Sequence, residues 1–286
     1  MTTKTVMLPT GERVPSLGMG TWRMGEARRA HAAEVAALRE GLQLGYRLID
    51  TAEMYGEGGA ERVVGEALAG AIAAGELERD DVFVVSKVYP HNAGRRGAAA
   101  ACERSLQRLG LERIDLYLLH WRGAHPLAET VEAFESLKAQ GRIRHWGVSN
   151  FDVDDLCELA TVPGGAHCAA DQVWYSAGRR APDYALLPWL RERGIALMAY
   201  SPIDQAALAR HRALGAVGRR LGVTAAQVAL AWVLHQPGVI AIPKTATSAH
   251  LRENRAAASL ALDAEALRAI DAAFPPPTAA MPIAIN

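Results

Sequence analysis

Short apolar runs alternate with longer segments of helical period along almost the whole chain. The runs are Leu17–Gly20, Leu48–Asp50, Val82–Lys87, Ile114–His120, Ile143–Ser149, Cys168–Gln172, Ile195–Tyr200 and Val239–Pro243. Each is nearly continuous in apolar residues rather than alternating, the pattern of parallel strands covered on both faces. Between them, steps of three and four residues mark amphipathic helices, as at Val35, Leu38 and Leu42, or at Leu127, Val131, Phe134 and Leu137. The helix around Leu186, Leu187 and Leu190 stops at Gly194, a residue suited to the left-handed position that closes a helix. Consecutive βα units of this kind predict one parallel sheet wrapped in helices.

The remaining segments are additions to that repeat. Val6–Val14 contains a turn between two short runs and predicts a hairpin able to plug a barrel floor. Two helical stretches, Leu208–Leu221 and Thr224–Leu234, separate the seventh and eighth runs, so one helix is extra. After the helical stretch Ala264–Phe274, Pro275, Pro276 and Pro277 forbid further helix and leave a short extended tail, which predicts an open pocket. The expected fold class is α/β: a (β/α)8 TIM barrel with an N-terminal β-hairpin and extra helices, residues 1–286 forming a single domain. A doubly wound sheet would carry GxGxxG after its first strand. Gly18-Met19-Gly20-Thr21-Trp22-Arg23 lacks the third glycine, and Gly56-Glu57-Gly58-Gly59-Ala60-Glu61 fails the spacing.

Charge and composition narrow the partners. Lys plus Arg and Asp plus Glu both total 31, so no net field favours nucleic acid or an anionic membrane. No run of 18 apolar residues occurs, and residues 1–6 carry no long apolar leader, which places the expected protein in the cytoplasm. Cys102, Cys157 and Cys168 have no CxxC spacing and read as reduced core fillers.

Barrel sites collect side chains from the carboxyl ends of several strands. Asp50 ends one run, Tyr55 follows in its loop, Lys87 ends the next run and His120 the one after. Each has an ordinary role open to it: a capping acid, a snorkelling lysine, a core histidine. Together at one mouth they form a proton-relay inventory. A phenol of pKa about 10 is a poor acid at neutral pH, and a neighbouring ammonium is expected to lower that value. Asp50 can hold Lys87 as an ion pair, while His120 donates to a substrate oxygen. A metal-dependent hydrolase is the rival use of Asp50 and His120, but no HxH pair ends the first strand and no second histidine ends a later one near the mouth. No metal is expected.

Leu48-Ile49-Asp50-Thr51-Ala52-Glu53-Met54-Tyr55-Gly56, Ile114-Asp115-Leu116-Tyr117-Leu118-Leu119-His120-Trp121, Ile143-Arg144-His145-Trp146-Gly147-Val148-Ser149-Asn150-Phe151 and Ile242-Pro243-Lys244-Thr245 resemble aldo-keto reductase motifs, in that family's order. The resemblance implies a catalytic tetrad at Asp50, Tyr55, Lys87 and His120 and an NADPH cofactor bound without a Rossmann domain. It places Ser149, Asn150 and Gln172 at the carboxamide, Tyr200 against the nicotinamide, and Ser201, Pro202 and Ile203 along the pyrophosphate. Lys244 and Thr245 would face the 2′-phosphate, with His250, Glu253 and Asn254 towards the adenine end; Gly20, Thr21, Trp22 and Asp50 complete the cofactor set.

Trp22, Met54, Tyr89 and Trp121 match substrate-pocket positions. Many relatives carry an arginine where this chain has His250, which weakens strict selectivity for NADPH. Ser248 is expected to cap the helix that follows Lys244. Met19-Gly20-Thr21-Trp22 and Phe274-Pro275-Pro276-Pro277 are similar to small bacterial methylglyoxal and aldehyde reductases. The implied activity is reduction of aldehydes or ketones to alcohols by hydride transfer from NADPH, with Tyr55 as general acid, in a monomer. The alternative is a nicotinamide-nucleotide-binding regulatory protein with little turnover.

Overall fold

A computed structural model describes residues 4–285. Strands β1 (Thr5–Met7) and β2 (Arg13–Pro15) pair antiparallel as the expected hairpin, Val6 opposite Val14. The eight predicted runs then appear in order as β3 (Met19–Gly20), β4 (Leu48–Asp50), β5 (Phe83–Val88), β6 (Ile114–Leu119), β7 (Ile143–Ser149), β8 (Ala170–Trp174), β9 (Ala196–Tyr200) and β10 (Val239–Ala241). Each pairs in parallel with its sequence neighbour. Bridges Leu17↔Ala241 and Gly20↔Lys244 join the first strand to the last and close the barrel. That seam requires Gly20, because a Cβ there would sit 2.7 Å from the Ile242 carbonyl oxygen.

Helices α1 (His31–Gln43), α2 (Gly59–Ala73), α3 (Arg95–Leu109), α4 (Leu127–Ala139), α5 (Val153–Thr161) and α6 (Leu186–Glu192) follow successive strands. The extra helical segment between β9 and β10 is shorter than expected: a single turn at Leu208–Arg210 precedes α7 (Arg212–Leu221), and α8 (Ala225–His235) follows. Thr224 starts α8 with a capping box, its hydroxyl accepting from the Gln227 amide at 3.2 Å while the Gln227 side chain accepts from the Thr224 amide at 3.0 Å. α9 (Ser248–Ala257) and α10 (Ala264–Ala273) complete the set. Ser248 is the first helical residue of α9, not its cap; its hydroxyl donates to Glu40 Oε1 at 2.6 Å.

Two apolar layers hold this arrangement. Helices pack on the outside of the sheet, while Leu48, Phe83, Val85, Leu116, Leu118, Met198 and Ile240 point inwards and meet Val6, Leu8 and Val14 of the hairpin. Each such aliphatic side chain contributes about 1.5–3 kcal/mol by leaving water, so the hairpin seals the barrel floor. Glu12 pins it there, accepting from Arg144 at 2.5 Å and pairing with His145 at 2.7 Å. With the floor sealed, the opposite mouth is left for chemistry.

Cys102 and Cys168 are buried, and burial pushes the Cys102 thiol up to about 12; Cys157 is exposed on α5 and is not a core residue. Among the described residues no helix is long and apolar enough to cross a membrane.

Candidate active site

Parallel register brings the ends of β4, β5 and β6 side by side, so Asp50, Lys87 and His120 arrive at one mouth from successive strands. Lys87 has no exposed surface. Its Nζ donates to Asp50 Oδ2 at 2.8 Å, to the Thr51 carbonyl oxygen at 2.9 Å and to Tyr55 Oη at 3.1 Å. An ammonium has three donors, and all three are used. Burial alone would drive its proton off, but the Asp50 carboxylate and the Tyr55 oxygen more than offset it and raise Lys87 above its ordinary value.

Asp50 Oδ1 accepts from Gln172 Nε2 at 2.7 Å, so both carboxylate oxygens are held. Because Lys87 donates to it, the Tyr55 oxygen keeps its own proton to give away.

The expected lowering of the Tyr55 phenol is not what the surroundings produce. Burial raises it first; Lys87 pulls it down, Asp50 pushes it back up, and the net direction is upwards. His120 stands edge-on to Tyr55, ring centroids 5.7 Å apart. Burial and the Lys87 charge hold its imidazole well below the ordinary histidine range, so it is neutral at pH 7.

These residues open onto a cavity of about 570 Å³. Gly20, Trp22, Met54, Trp121, Ser149, Asn150, Gln172 and Tyr200 line it with Asp50, Tyr55 and His120. Ser201, Pro202, Ile203, Lys244, Thr245, His250, Glu253 and Asn254 line it as well.

Three predicted site residues are not on its surface: Lys87, which is fully buried and reaches the cavity only through Asp50 and Tyr55, Thr21 and Tyr89. Thr21 is fully buried, its hydroxyl donating to the Asp50 carbonyl oxygen at 2.9 Å. Tyr89 lies behind Trp121, ring centroids 6.0 Å apart, with its hydroxyl on Glu57 at 3.2 Å. Glu53 accepts from the Tyr89 amide at 2.7 Å.

Ser149, Asn150 and Gln172 are linked internally. Asn150 Nδ2 donates to the His120 carbonyl oxygen and to Ser149 Oγ, Asn150 Oδ1 accepts from Tyr200 Oη at 2.9 Å, and Ser149 Oγ donates to the Gln172 carbonyl oxygen at 2.8 Å. Asn150 takes a left-handed φ of 61° to make these bonds, a strained conformation of the kind found at functional sites.

Arg23, Gln205, Ala206, Ala209, Thr224, Ala226 and Ile285 also line the cavity and were not read from the sequence. Asp204, Gln205 and Ala206 all have left-handed φ, which no glycine signals. Ile285 brings the tail to the mouth, so the pocket is less open than a short tail suggested: an extended chain advances about 3.3 Å per residue, enough for a few residues to cross it.

Among the described residues no three His, Cys, Asp or Glu side chains converge as metal ligands would. What converges is a neutral imidazole, a protonated phenol and a buried ion pair beside a cavity, at the mouth of a closed (β/α)8 barrel. Residues 16–274 match the Aldo/keto reductase family, and the chain belongs to that family of carbonyl-reducing oxidoreductases.

The chain is 49% identical over 269 residues to the methylglyoxal reductase YeaE of Escherichia coli (strain K12), covering 92% of each chain. It is 33% identical over 268 residues to a glyoxal reductase of Bacillus subtilis (strain 168), covering 94% of this chain and 92% of that one. An aldo-keto reductase from Klebsiella pneumoniae, crystallised in complex with NADPH, superposes with a TM-score of 0.94 at 45% identity over 100% of both chains.

Proposed function

We propose that this protein reduces small apolar or aromatic aldehydes with NADPH, Tyr55 protonating the carbonyl oxygen. The observation that carries the reading is the Lys87 ammonium with all three donors used, one of them on Tyr55 Oη. The donor set suits a dinucleotide: amide and hydroxyl groups of Ser149, Asn150 and Gln172, the flat Tyr200 ring and the Lys244 cation all line the cavity. Bound there, NADPH supplies the hydride that the protein itself cannot.

The chain's own residues then handle the oxygen. A substrate carbonyl oxygen between Tyr55 and His120 accepts from the neutral imidazole and from the phenol. As negative charge grows on that oxygen it outcompetes the phenolate for the proton, and the proton crosses from Tyr55. The phenolate left behind is stabilised by the Lys87 ammonium at 3.1 Å. Trp22, Met54 and Trp121 exclude water around the reacting carbon and present apolar faces to the rest of the substrate.

A screen of NADPH oxidation over methylglyoxal, benzaldehydes, sugars and ketones tests the reading. We expect an aromatic aldehyde or small dicarbonyl to be preferred to an aldose, because those walls offer few partners for hydroxyls and each unpaired polar group costs about 1–3 kcal/mol. A higher kcat/KM for an aldose than for every benzaldehyde and dicarbonyl would overturn the assignment.

Cofactor choice is the second expectation. Lys244 is exposed at the end of β10 and makes no ion pair among the described residues, and Thr245 stands beside it. The first turn of α9 has no side-chain cap, leaving its amides to face an anion. A charge-assisted contact to a ribose 2′-phosphate is worth about 1.5–3 kcal/mol, and for an exposed lysine with His250 in place of an arginine we place it at the lower end. Lys244→Ala should therefore weaken NADPH about tenfold and leave NADH nearly unchanged, read by fluorescence quenching. Equal weakening of both cofactors removes Lys244 from the phosphate site.

A further inference from the structure

Strands β8 and β9 end side by side, and their parallel register sets Trp174 directly opposite Tyr200. Paired positions of neighbouring strands carry their side chains to the same face of a sheet, so the two rings meet. Their centroids lie 6.3 Å apart with the planes tilted by 32°, within the distance at which aromatic pairs attract.

Tyr200 is thereby fixed at two points. Its hydroxyl donates to Asn150 Oδ1 at 2.9 Å, and its ring leans on the indole. One hydrogen bond at the tip of a phenol leaves the ring plane free to turn about its long axis, and a flat neighbour removes that freedom. The indole is itself covered. The Arg179 guanidinium lies 4.8 Å from its ring centroid and pairs with Asp204 at 3.5 Å, in the left-handed segment whose Gln205 and Ala206 line the cavity.

The space around the pair explains why a large ring is needed. Tyr200 lines the 570 Å³ cavity. Trp174 lines a second cavity of about 370 Å³, whose other walls include Arg180, Pro182 and the tail residues Phe274, Pro277 and Met281. The two rings therefore stand between the cavities, and with the indole gone Tyr200 would have open space to fall back into. Trp174 Nε1 is buried and has no hydrogen-bond partner among the described residues. An unpaired buried donor is a cost that phenylalanine or leucine would not carry, and the position keeps the broad indole face in spite of it.

We propose that Trp174 is a positioning residue for hydride transfer, its face holding the Tyr200 ring in the plane on which the nicotinamide lies. This rests on the reading of Tyr200 as the ring that meets the nicotinamide. No bond is made or broken at Trp174: the hydride passes to the aldehyde carbon and the proton comes from Tyr55. What the indole supplies is a fixed geometry, and a small misplacement of reacting atoms costs rate out of proportion to binding.

The test compares Trp174→Leu with Trp174→Phe, two replacements of similar apolar bulk of which one keeps a flat ring. In Trp174→Leu we expect kcat to fall roughly fivefold to tenfold and the NADPH Kd to rise roughly threefold, with KM for benzaldehyde little changed. Trp174→Phe should recover most of both losses. The emission of bound NADPH should shift in Trp174→Leu and return towards wild type in Trp174→Phe, a signature of the nicotinamide's surroundings that lost packing elsewhere does not produce.

Equal losses in the two variants, matched by equal falls in Tm, would make Trp174 a packing residue and overturn the inference; so would wild-type kcat in Trp174→Leu. Tyr200→Leu separates this from the cofactor reading. If it loses NADPH affinity and turnover while Trp174→Leu does not, the inference fails alone. If it keeps both, the nicotinamide does not lie on Tyr200, and the cofactor placement falls together with the inference.

Discussion

Tyr55→Phe should reduce aldehydes roughly two to four orders of magnitude more slowly than wild type, the usual loss when a general acid is removed. The substitution deletes one oxygen from a half-buried ring whose packing against His120 is made by its carbon edge, so the fold and cofactor binding should persist. Steady-state reduction, with fluorescence quenching by NADPH as the binding control, reads both. Wild-type turnover in the variant would remove Tyr55 from the mechanism.

The phenol's environment adds a pH dependence with a definite sign. Burial and the Asp50 charge raise Tyr55 above its ordinary value, so its acid form persists through neutral and mildly alkaline pH. Reduction should stay flat across that range. Alcohol oxidation, which starts from the phenolate, should rise with pH over the same interval. A reduction rate that falls between pH 7 and about 9 would contradict the raised phenol.

The second large effect is expected for Lys87→Met. This change removes the cation that steadies the phenolate and leaves the fully buried Asp50 facing methyl and methylene groups. Activity should collapse by at least as much as in Tyr55→Phe. Stability should fall as well, because an uncompensated buried carboxylate costs about 3–5 kcal/mol.

Asp50 can escape part of that cost by taking up a proton. Burial already raises it, and with the Lys87 attraction gone the rise is larger. A carboxyl whose folded value is raised contributes stability that is present at low pH and lost as pH rises through that value. The gap in Tm between variant and wild type should therefore widen from acid to neutral pH. A pH-independent gap, or oxidation as fast as wild type at neutral pH, would mean that Asp50, Lys87 and Tyr55 are not coupled.

Much of this site was legible because its parts are local. Asp50, Lys87 and His120 each end an apolar run, and a strand end in a barrel is a mouth position by topology alone. Lys244 follows the same rule after β10. Thr21 and Tyr89, placed at the site by resemblance, lie off the cavity surface: the first is fully buried with its hydroxyl on the Asp50 carbonyl oxygen, and the second stands beside Trp121 with its hydroxyl on Glu57. Ser248 was in the right place for a cap, but Glu40, 208 residues away in the chain, takes its hydroxyl.

The one-dimensional pattern determined the strand count, their parallel order, the hairpin and the meeting of Asp50, Tyr55, Lys87 and His120 at one mouth, since periodicity and strand-end polarity are properties of neighbouring residues. Tertiary structure decided what those residues are chemically. Gln172 reaches Asp50 across 122 residues, burial with the Lys87 charge added to it keeps His120 neutral, and burial outweighs the ammonium at Tyr55. It also decided that Ile285 meets the mouth and that Asn150 is strained. Desolvation, backbone strain and long-range contact depend on what surrounds a group in three dimensions, and no window of sequence contains that information.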